Sequence, residues 1–178
     1  MKHIIRKAFY DYEKEVDWLD EMSSKGLALT DCSWCRYVFE DSPKDQYIYR
    51  IELLDNQITK LKKSEYIDFL EDSGIECITT YMRWIYLRKK SSDGKFDLYS
   101  DIDSRIKHYK KVNTQWALLM VAELFMGIST ISLGLESSNT FSIIGGIILL
   151  LFGVKFFTLW YSVRSKIKSL IKEQIIRE

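Results

Sequence analysis

Two apolar runs near the C-terminal end constrain the fold of this chain most strongly. They cover residues 115–135 and 140–161, and only the four residues Glu-Ser-Ser-Asn separate them. Each run has about the 20 residues that an α-helix needs to cross the hydrocarbon core of a bilayer. The sequence therefore predicts a transmembrane hairpin of two helices, preceded by a soluble domain.

The predicted organisation has six segments. They are a cytoplasmic α+β domain (1–98), a juxtamembrane helix (99–114), two transmembrane helices (115–135 and 140–161) joined by an extracytoplasmic loop (136–139), and a basic amphipathic tail (162–178). The apolar stripe of the tail leaves two alternatives open. The tail lies on the lipid surface, or it extends the second span and packs on the juxtamembrane helix as a stalk.

The charges around the spans predict the orientation of the hairpin. The tip of the hairpin carries Glu136 and no positive residue, whereas positive residues flank both spans on the other side. These flanking residues are Arg105, Lys107, Lys110, Lys111, Arg164, Lys166, Lys168 and Lys172. Because positive residues near span ends stay in the cytoplasm, both termini are expected there. Trp116, Trp160 and Tyr161 fall at the same predicted interface with membrane lipid, where aromatic rings are enriched.

The net charge of +1 hides two parts of opposite sign. Residues 1–104 contain 16 basic and 21 acidic residues, a net charge of −5, whereas residues 105–178 contain 10 basic and 4 acidic residues, a net charge of +6. An acidic soluble part argues against nucleic-acid binding, which requires a basic face. The positive residues that flank the predicted spans account for the net positive charge of the second part.

Short apolar patterns in the first part predict a ferredoxin-like β-α-β-β-α-β domain with an antiparallel sheet. Strand patterns cover residues 4–9, 27–40, 46–54 and 75–89, and helical patterns cover residues 12–25 and 64–73. The stretch 75–89 reads as one strand or two. No internal repeat is evident. Residues 41–45, which include the only proline, form the predicted turn between the two central strands.

A hairpin around this turn predicts a candidate binding face. Alternation along the strands places Trp34, Arg36 and Val38 on one face with Ile48, Arg50 and Glu52, and Arg83 follows in a later strand. Arginines and aromatic side chains on an open sheet can bind an anionic small molecule or a partner protein. The alternative is a solvated face with cross-strand Arg–Glu pairs. The candidate residues are Trp34, Arg36, Arg50, Glu52 and Arg83.

Small residues within the two spans predict helix packing. Gly127, Thr130 and Gly134 follow one face of the first span, and Gly146 and Gly153 share a face of the second. Small side chains let membrane helices approach closely. The contact is either between the two spans of one chain or between copies in a homo-oligomer.

Two charged residues interrupt the apolar spans. Glu123 and Lys155 both belong to the half of the hairpin away from the tip, at similar depth. A charge inside the hydrocarbon costs at least about 2.5–3.5 kcal/mol, which an opposite charge at the same depth partly offsets. We therefore predict a Glu123–Lys155 pair. The alternative is that Lys155 extends to the interface and Glu123 is protonated or faces a partner protein.

The soluble part shows no catalytic pattern. It lacks the glycine-rich phosphate-binding and nucleophile motifs, and the chain has only His3 and His108 as histidines. Cys32 and Cys35 have a C-x-x-C spacing, but in a strand they point to opposite faces and so share neither a disulfide nor a metal. With Cys77 they are expected to be structural thiols. The sequence predicts no enzyme, no cofactor and no metal site.

Several segments together resemble a known family. They are residues 9–15 (FYDYEKE), Trp18-Leu19 with Gly26-Leu27, residues 35–39 (CRYVF), residues 47–52 (YIYRIE), Arg83-Trp84 and residues 98–107 (LYSDIDSRIK). The chain is similar in these segments to the domain-of-unknown-function 2812 family of bacterial, mostly Firmicute, membrane proteins. The resemblance implies no catalytic residues. It implies a gene neighbourhood with PadR-like transcriptional regulators and so a regulated stress or envelope response.

These observations lead to two functional hypotheses. The first is a membrane-anchored, cytoplasm-facing sensory or regulatory module that binds a partner, such as a PadR-like regulator, or a small ligand. The second is a structural or accessory subunit of a larger membrane complex, such as an exporter, with a membrane transporter as its partner. The small-residue helix faces and Glu123 favour the second hypothesis.

Overall fold

The computed structural model describes residues 1–55, 60–99 and 101–177. The chain forms two compact units, Met1–Ser100 and Asp101–Glu178. Residues 100 and 178, which fall in the predicted segments 99–114 and 162–178, lie outside the described residues. The first unit combines strands with short helices, and the second consists of two long apolar helices.

The first half of the first unit is a strand, a helix and a hairpin. β1 spans Lys2–Arg6, α1 spans Tyr12–Ser24, β2 spans Leu27–Ser33 and β3 spans Arg36–Asp41. β3 lies between β1 and β2, and both pairings are antiparallel. The Asp11 side chain caps α1 by accepting a hydrogen bond from Glu13 N at 3.1 Å, which satisfies an amide that the helix itself leaves without an acceptor.

The second half contains the same elements in the same order. β4 spans Tyr47–Leu53, α2 spans Lys60–Asp72, β5 spans Ile75–Tyr81 and β6 spans Trp84–Lys90, followed by a 3₁₀ turn at Ser91–Asp93. β6 lies between β4 and β5, again with antiparallel pairings. Each half is therefore a β-α-β-β unit in which the last strand occupies the centre of a three-stranded sheet.

The two halves repeat at a spacing of 48 residues. α1 spans Tyr12–Ser24 and α2 spans Lys60–Asp72, so their last residues are 48 residues apart. β2 and β5 each contain 7 residues and begin at residues 27 and 75, while β3 and β6 begin at residues 36 and 84. The irregularities in strand register also match, because they follow Leu29 in β2 and Cys77 in β5.

A glycine separates helix from strand at the same place in both halves. Gly26 has a φ of +83° and Gly74 a φ of +75°, a conformation that side-chain-bearing residues adopt only with strain. A Cβ atom on Gly26 would also lie 3.0 Å from Ser42 O. The shared spacing of helix, glycine, bulge and hairpin shows an internal structural duplication that the sequence patterns did not predict.

The structure does not confirm the ferredoxin-like topology. The stretch 27–40 was predicted as strand-rich but contains two strands, β2 and β3, and their hairpin turn lies at Trp34 and Cys35. The turn at residues 41–45 does not join paired strands, because β3 and β4 belong to different sheets. Six strands in two antiparallel sheets replace the single sheet that the β-α-β-β-α-β pattern implied.

The two sheets share one hydrophobic core. α1 contributes Trp18, Leu19 and Met22, and the strands contribute residues from both sheets. These are Leu29, Cys32, Tyr37 and Phe39 from the first sheet and Tyr49, Ile51 and Tyr86 from the second. α2 forms a second core on Ile85 and Leu87 through Leu70, together with Leu54 and Phe96. The second sheet is therefore covered on both faces, because alternate residues of β6 enter different cores.

Side chains of α1 cover the free edge of β4. Tyr49 N donates a hydrogen bond to Asp20 Oδ1 at 2.7 Å, and Tyr47 N donates one to Ser23 Oγ at 3.2 Å. The Ser23 hydroxyl in turn donates to Tyr47 O at 2.7 Å. An uncovered edge strand would offer these groups to another chain, so the helix protects the edge against intermolecular pairing.

Two long helices make up the second unit. α3 spans Ile102–Glu136 and α4 spans Thr140–Arg177, and both are long and apolar enough to cross a membrane. Many of their large apolar side chains are exposed, including Phe125, Phe141 and Leu151. Soluble proteins rarely expose contiguous apolar surface of this kind, and a lipid environment would cover it.

The ends of these helices beyond the predicted spans pack on each other. Ile167 and Leu170 of α4 are buried against Ile106 of α3, and Ile102, Tyr109 and Val163 complete the cluster. Gln174 Nε2 donates a hydrogen bond to Asp103 Oδ1 at 3.2 Å. Of the two alternatives for the tail, the structure therefore shows the stalk.

Candidate functional site

Three loops of the first unit lie at one end, which we call the loop end. They are the β1–α1 loop (residues 7–11), the β2–β3 turn (Trp34 and Cys35) and the β5–β6 turn (Met82 and Arg83). Lys7 N donates a hydrogen bond to Cys35 O at 3.0 Å, which joins the first two loops. The ring of Tyr12, at the start of α1, lies 5.5 Å from the ring of Trp84, which follows the third.

Each loop of the loop end exposes a large side chain with an apolar body. Trp34 is 80% exposed, Met82 is 82% exposed and Tyr10 is 50% exposed. Single exposed apolar residues are common on protein surfaces, but here each of the three loops presents one. Tryptophan and tyrosine are the residues that most often dominate binding energy at protein interfaces.

The two hairpin turns carry backbone strain. Cys35 has a φ of 55° and Met82 a φ of 54°, although neither residue is the glycine or asparagine that this conformation favours. Such strain costs of order 1 kcal/mol or more and concentrates at functional sites. In the first turn the exposed Trp34 precedes the strained Cys35, and in the second Met82 is both strained and exposed.

Positive charges surround the exposed side chains. Arg6 and Lys7 are exposed, and Lys7 Nζ lies 4.8 Å from the ring centre of Trp18 and 4.9 Å from that of Phe9. Arg36 Nη1 lies 3.4 Å from Asp31 Oδ2, in a pair that is about half exposed on both sides. The loop end therefore combines apolar and aromatic groups with cations.

A buried carboxylate fixes the strands behind the loop end. Glu15, in the first turns of α1, is 7% exposed, and its Oε1 accepts hydrogen bonds from Tyr37 Oη and Tyr86 Oη, both at 2.7 Å. Tyr37 belongs to β3 and Tyr86 to β6, the central strands of the two sheets. We call this arrangement the Glu15 clamp, since one side chain holds both sheets against the helix.

Burial sets the protonation of the Glu15 clamp. It raises the pKa of Glu15 above the ordinary value of 4.5, and the two tyrosine hydrogen bonds oppose that rise. Burial and the neighbouring carboxylate also raise the pKa values of Tyr37 and Tyr86, so both phenols stay protonated as donors. Burial raises the pKa of the adjacent Cys32 to about 12, which leaves it an unreactive thiol at neutral pH.

The raised pKa of Glu15 has a consequence for stability. The folded chain holds this proton more tightly than the unfolded chain, so the contribution of Glu15 is greatest below the unfolded value of 4.5 and declines as pH rises through the higher folded value. We expect wild type to lose more stability over this range than the Glu15→Gln variant, which cannot ionise. Thermal unfolding of the full chain in detergent across this pH range measures the difference. Parallel pH profiles for the two proteins would contradict it.

The structure separates the predicted binding residues into two groups. Trp34 and Arg83 lie in the two turns of the loop end, and Arg36 is the first residue of β3. Arg50 instead lies on β4, where its Nη1 donates to Tyr49 O at 2.6 Å and lies 3.4 Å from Asp20 Oδ2. Glu52 is 9% exposed and accepts a hydrogen bond from Tyr66 Oη at 2.7 Å.

The predicted common face therefore does not form. It required β3 and β4 to pair. Instead, β3 pairs with β1 and β2, and β4 pairs with β6. Arg50 and Glu52 point to the side of β4 that α2 and Phe96 cover, and the Arg50 guanidinium lies 5.6 Å from the Phe96 ring centre. Only Trp34, Arg36 and Arg83 are at the loop end.

The glycines predicted for helix packing lie between α3 and α4 of the same chain. A Cβ atom on Gly127 would be 2.8 Å from Leu150 Cδ2, and one on Gly146 would be 2.8 Å from Gly127 O. Gly134 faces Ile143 and Gly153 faces Leu124 in the same way. Thr130 uses its hydroxyl within α3, where it donates to Met126 O at 2.7 Å.

The two charged residues of the apolar helices differ in their exposure. Glu123 is half-buried, and its Oε2 is buried without a hydrogen-bond partner in the described part of the chain, whereas Lys155 is exposed. The Glu123–Lys155 pair and its alternatives therefore stay predictions.

Sequence reasoning missed Tyr10, Glu15 and Met82. Glu15 sits among acidic residues that resemble a solvated helix face, and only the tertiary structure shows that it is buried. Met82 could have been found through the internal repeat. The segments 22–27 (MSSKGL) and 70–75 (LEDSGI) both end a helix with glycine and start a strand. That match would have placed a second hairpin turn 48 residues after Trp34.

Comparison with known proteins identifies a family without a known activity. The model of a family described as "Protein of unknown function (DUF2812)" matches residues 11–121. No curated protein and no solved structure gives a significant match. The matched part begins at the residue that caps α1 and ends inside α3, so it includes both hairpin turns of the loop end.

Proposed function

The chain belongs to the DUF2812 family of proteins of unknown function, and we propose that it is a membrane-anchored, cytoplasm-facing binding module that serves sensing or regulation. The loop end is its docking surface for a protein partner. α3 and α4 form the anchor, and the positive flanks of the two spans keep both termini in the cytoplasm.

One observation carries this proposal, namely the exposure of Trp34 and Met82 on two strained turns. Neither side chain belongs to the hydrophobic core, so core packing does not explain their size. A strained turn that presents a large exposed side chain is typical of a recognition site. The cations Arg6, Lys7 and Arg36 favour a partner with acidic groups beside an apolar pocket.

The resemblance to the family supplies one class of partner. If the gene lies beside a PadR-like regulator, that regulator is the first candidate for the loop end. Its binding to a membrane protein would withdraw it from DNA, which is a simple route to regulation. This chain would then carry no catalytic step of its own.

We expect site-specific crosslinking to identify the partner through the loop end. Photo-crosslinking amino acids are placed at positions 34 and 82 of the full chain in its native membrane, and the adducts are identified by mass spectrometry. The same protein should be recovered from both positions. Position 21, which is exposed near the C-terminal end of α1, is the matched control. Equal recovery from position 21, or no common protein at 34 and 82, would overturn the proposal.

Substitution measures the contribution of the exposed tryptophan. Trp34→Ala should weaken binding of the recovered partner by about 2 kcal/mol, roughly 30-fold, because it removes the largest anchor. Tryptophan 34 is nearly free of contacts within the chain, so the thermal unfolding midpoint should not change. Unchanged affinity would show that the partner binds elsewhere.

A second function is an accessory subunit of a larger membrane complex, such as an exporter. Glu123 favours it, because its carboxylate has a buried oxygen with no hydrogen-bond partner among the described residues. A polar group of a neighbouring transmembrane helix would satisfy it. Crosslinking from position 123 to an integral membrane protein, with none from the loop end, would favour this function.

A further inference from the structure

α2 presents an unusual outer face. Its inner side chains, Tyr66 and Leu70, join the second core, while Leu61 is 75% exposed and Phe69 is 63% exposed on the opposite side. The acidic residues around Phe69 are exposed as well; they are Glu65, Asp68, Glu71 and Asp72. The outer face of α2 is therefore apolar and acidic.

The internal repeat shows that the fold does not require this face. The positions of α1 that correspond to Leu61 and Phe69 are 48 residues earlier, and they hold Glu13 and Glu21. α1 packs on its sheet with charged residues on its outer side, as an ordinary solvated helix does. The exposed Leu61 and Phe69 are therefore specific to α2 and need another explanation.

The tail of α4 presents the complementary face. Its inner residues Ile167 and Leu170 pack on α3, while Ile171 and Ile175 are exposed, the latter by 68%. Lys168 and Lys172 lie between and beside these isoleucines and are exposed too. This outer face is apolar and basic, and it lies on the part of α4 that extends past the predicted span.

We infer that the outer face of α2 binds the tail of a second copy of this chain in the same membrane. One antiparallel alignment of α2 with the tail places apolar residues opposite each other and acidic residues opposite basic ones. It places Leu61 opposite Ile175, Glu65 opposite Lys172, Asp68 opposite Lys168 and Asp72 opposite Arg164, to within one residue. Paired helices are held together by apolar side chains at the contact and by oppositely charged side chains beside it.

Confinement to one membrane would strengthen the association that this small contact produces. A three-turn helix contact alone binds weakly in solution, because it buries far less surface than a stable interface. Copies held in one membrane meet at a high effective concentration. If two copies exchange tails around a two-fold axis, the same contact also forms twice.

Charge reversal distinguishes a second copy from every other occupant. One variant reverses α2 (Glu65→Lys with Asp68→Lys), and the other reverses the tail (Lys168→Glu with Lys172→Glu). Energy transfer between donor- and acceptor-labelled full chains in phosphatidylcholine vesicles measures self-association. We expect each variant alone to associate at least about tenfold more weakly than wild type, since like charges then face each other.

A mixture of the two variants should associate as wild type does. In the mixture the basic α2 of one copy meets the acidic tail of the other, and the acidic α2 meets the basic tail. The control reverses two exposed charges of α1 (Asp17→Lys with Glu21→Lys), and it should leave association unchanged.

Four other results would overturn the inference. The wild type does not associate, or either variant associates as strongly as the wild type. Alternatively, the α1 control loses association equally, or the mixture of the two variants stays dissociated. The last result would mean that lipid or the chain itself covers the tail. Rescue in the mixture requires that both variants fold, so it also excludes a trivial loss of structure.

Discussion

Replacing Gly146 by valine should separate α3 from α4. A Cβ atom at this position would lie 2.5 Å from Ile131 Cγ1, 2.8 Å from Gly127 O and 3.0 Å from Ile131 N. Two of these atoms belong to the backbone, so the overlap cannot be relieved by rotating a side chain. We expect a loss of about 3 kcal/mol of unfolding free energy. Unfolding of the full chain in mixed detergent micelles, followed by circular dichroism, measures it.

Gly145 supplies a matched control for this substitution. It precedes Gly146 on the same helix, but a Cβ atom there has no heavy atom within 4 Å. Gly145→Val adds the same side chain with the same helix propensity, and we expect a change within about 0.5 kcal/mol. If both variants lose equal stability, the helices do not pack through the contact between Gly127 and Gly146.

Replacing Glu15 by alanine should destabilise the first unit, Met1–Ser100, by about 3 kcal/mol. The substitution removes the acceptor for both Tyr37 Oη and Tyr86 Oη, and each buried hydroxyl left without a partner costs roughly 1–3 kcal/mol. Amide hydrogen exchange of the full chain should show the loss in the central strands β3 and β6, because the Glu15 clamp holds both against α1.

Glu15→Gln tests whether hydrogen bonding or charge matters in the Glu15 clamp. Its side-chain oxygen can accept from both phenols, so it should stay within about 1 kcal/mol of wild type at neutral pH. A loss of protection in Glu15→Gln as large as that in Glu15→Ala would show that the ionised carboxylate, rather than an acceptor oxygen, is required. Equal stability of all three proteins would show that the clamp does not hold the sheets.

The two substitutions act on different levels of the architecture. Gly146 affects the packing of α4 on α3, whereas Glu15 affects the position of the two hairpins that carry the loop end. A chain with a weakened clamp should therefore also bind its partner less well, although Glu15 itself is buried. Trp34→Ala differs in this respect, since it should lower binding without lowering stability.

The candidate site was only partly predictable from the sequence. Trp34 and Arg36 alternate along a strand pattern and Arg83 follows in a later one, and all three lie at the loop end. Arg50 and Glu52 follow the same alternation but lie on the covered side of β4. The difference arises because alternation defines two faces of a strand and does not say which face is covered.

Local chemistry explains the features that are predictable from the residues alone. The two long apolar helices follow from run length and hydropathy, and the ends of α1 and α2 follow from a glycine that supports a positive φ. Long-range packing, in contrast, sets the pairing of β3 with β1 and β2, the pairing of β6 with β4 and β5, and the burial of Glu15 between them. Pairing joins segments distant along the chain, and several pairings satisfy the same alternation of apolar residues, so the packing of α1 across both sheets selects among them.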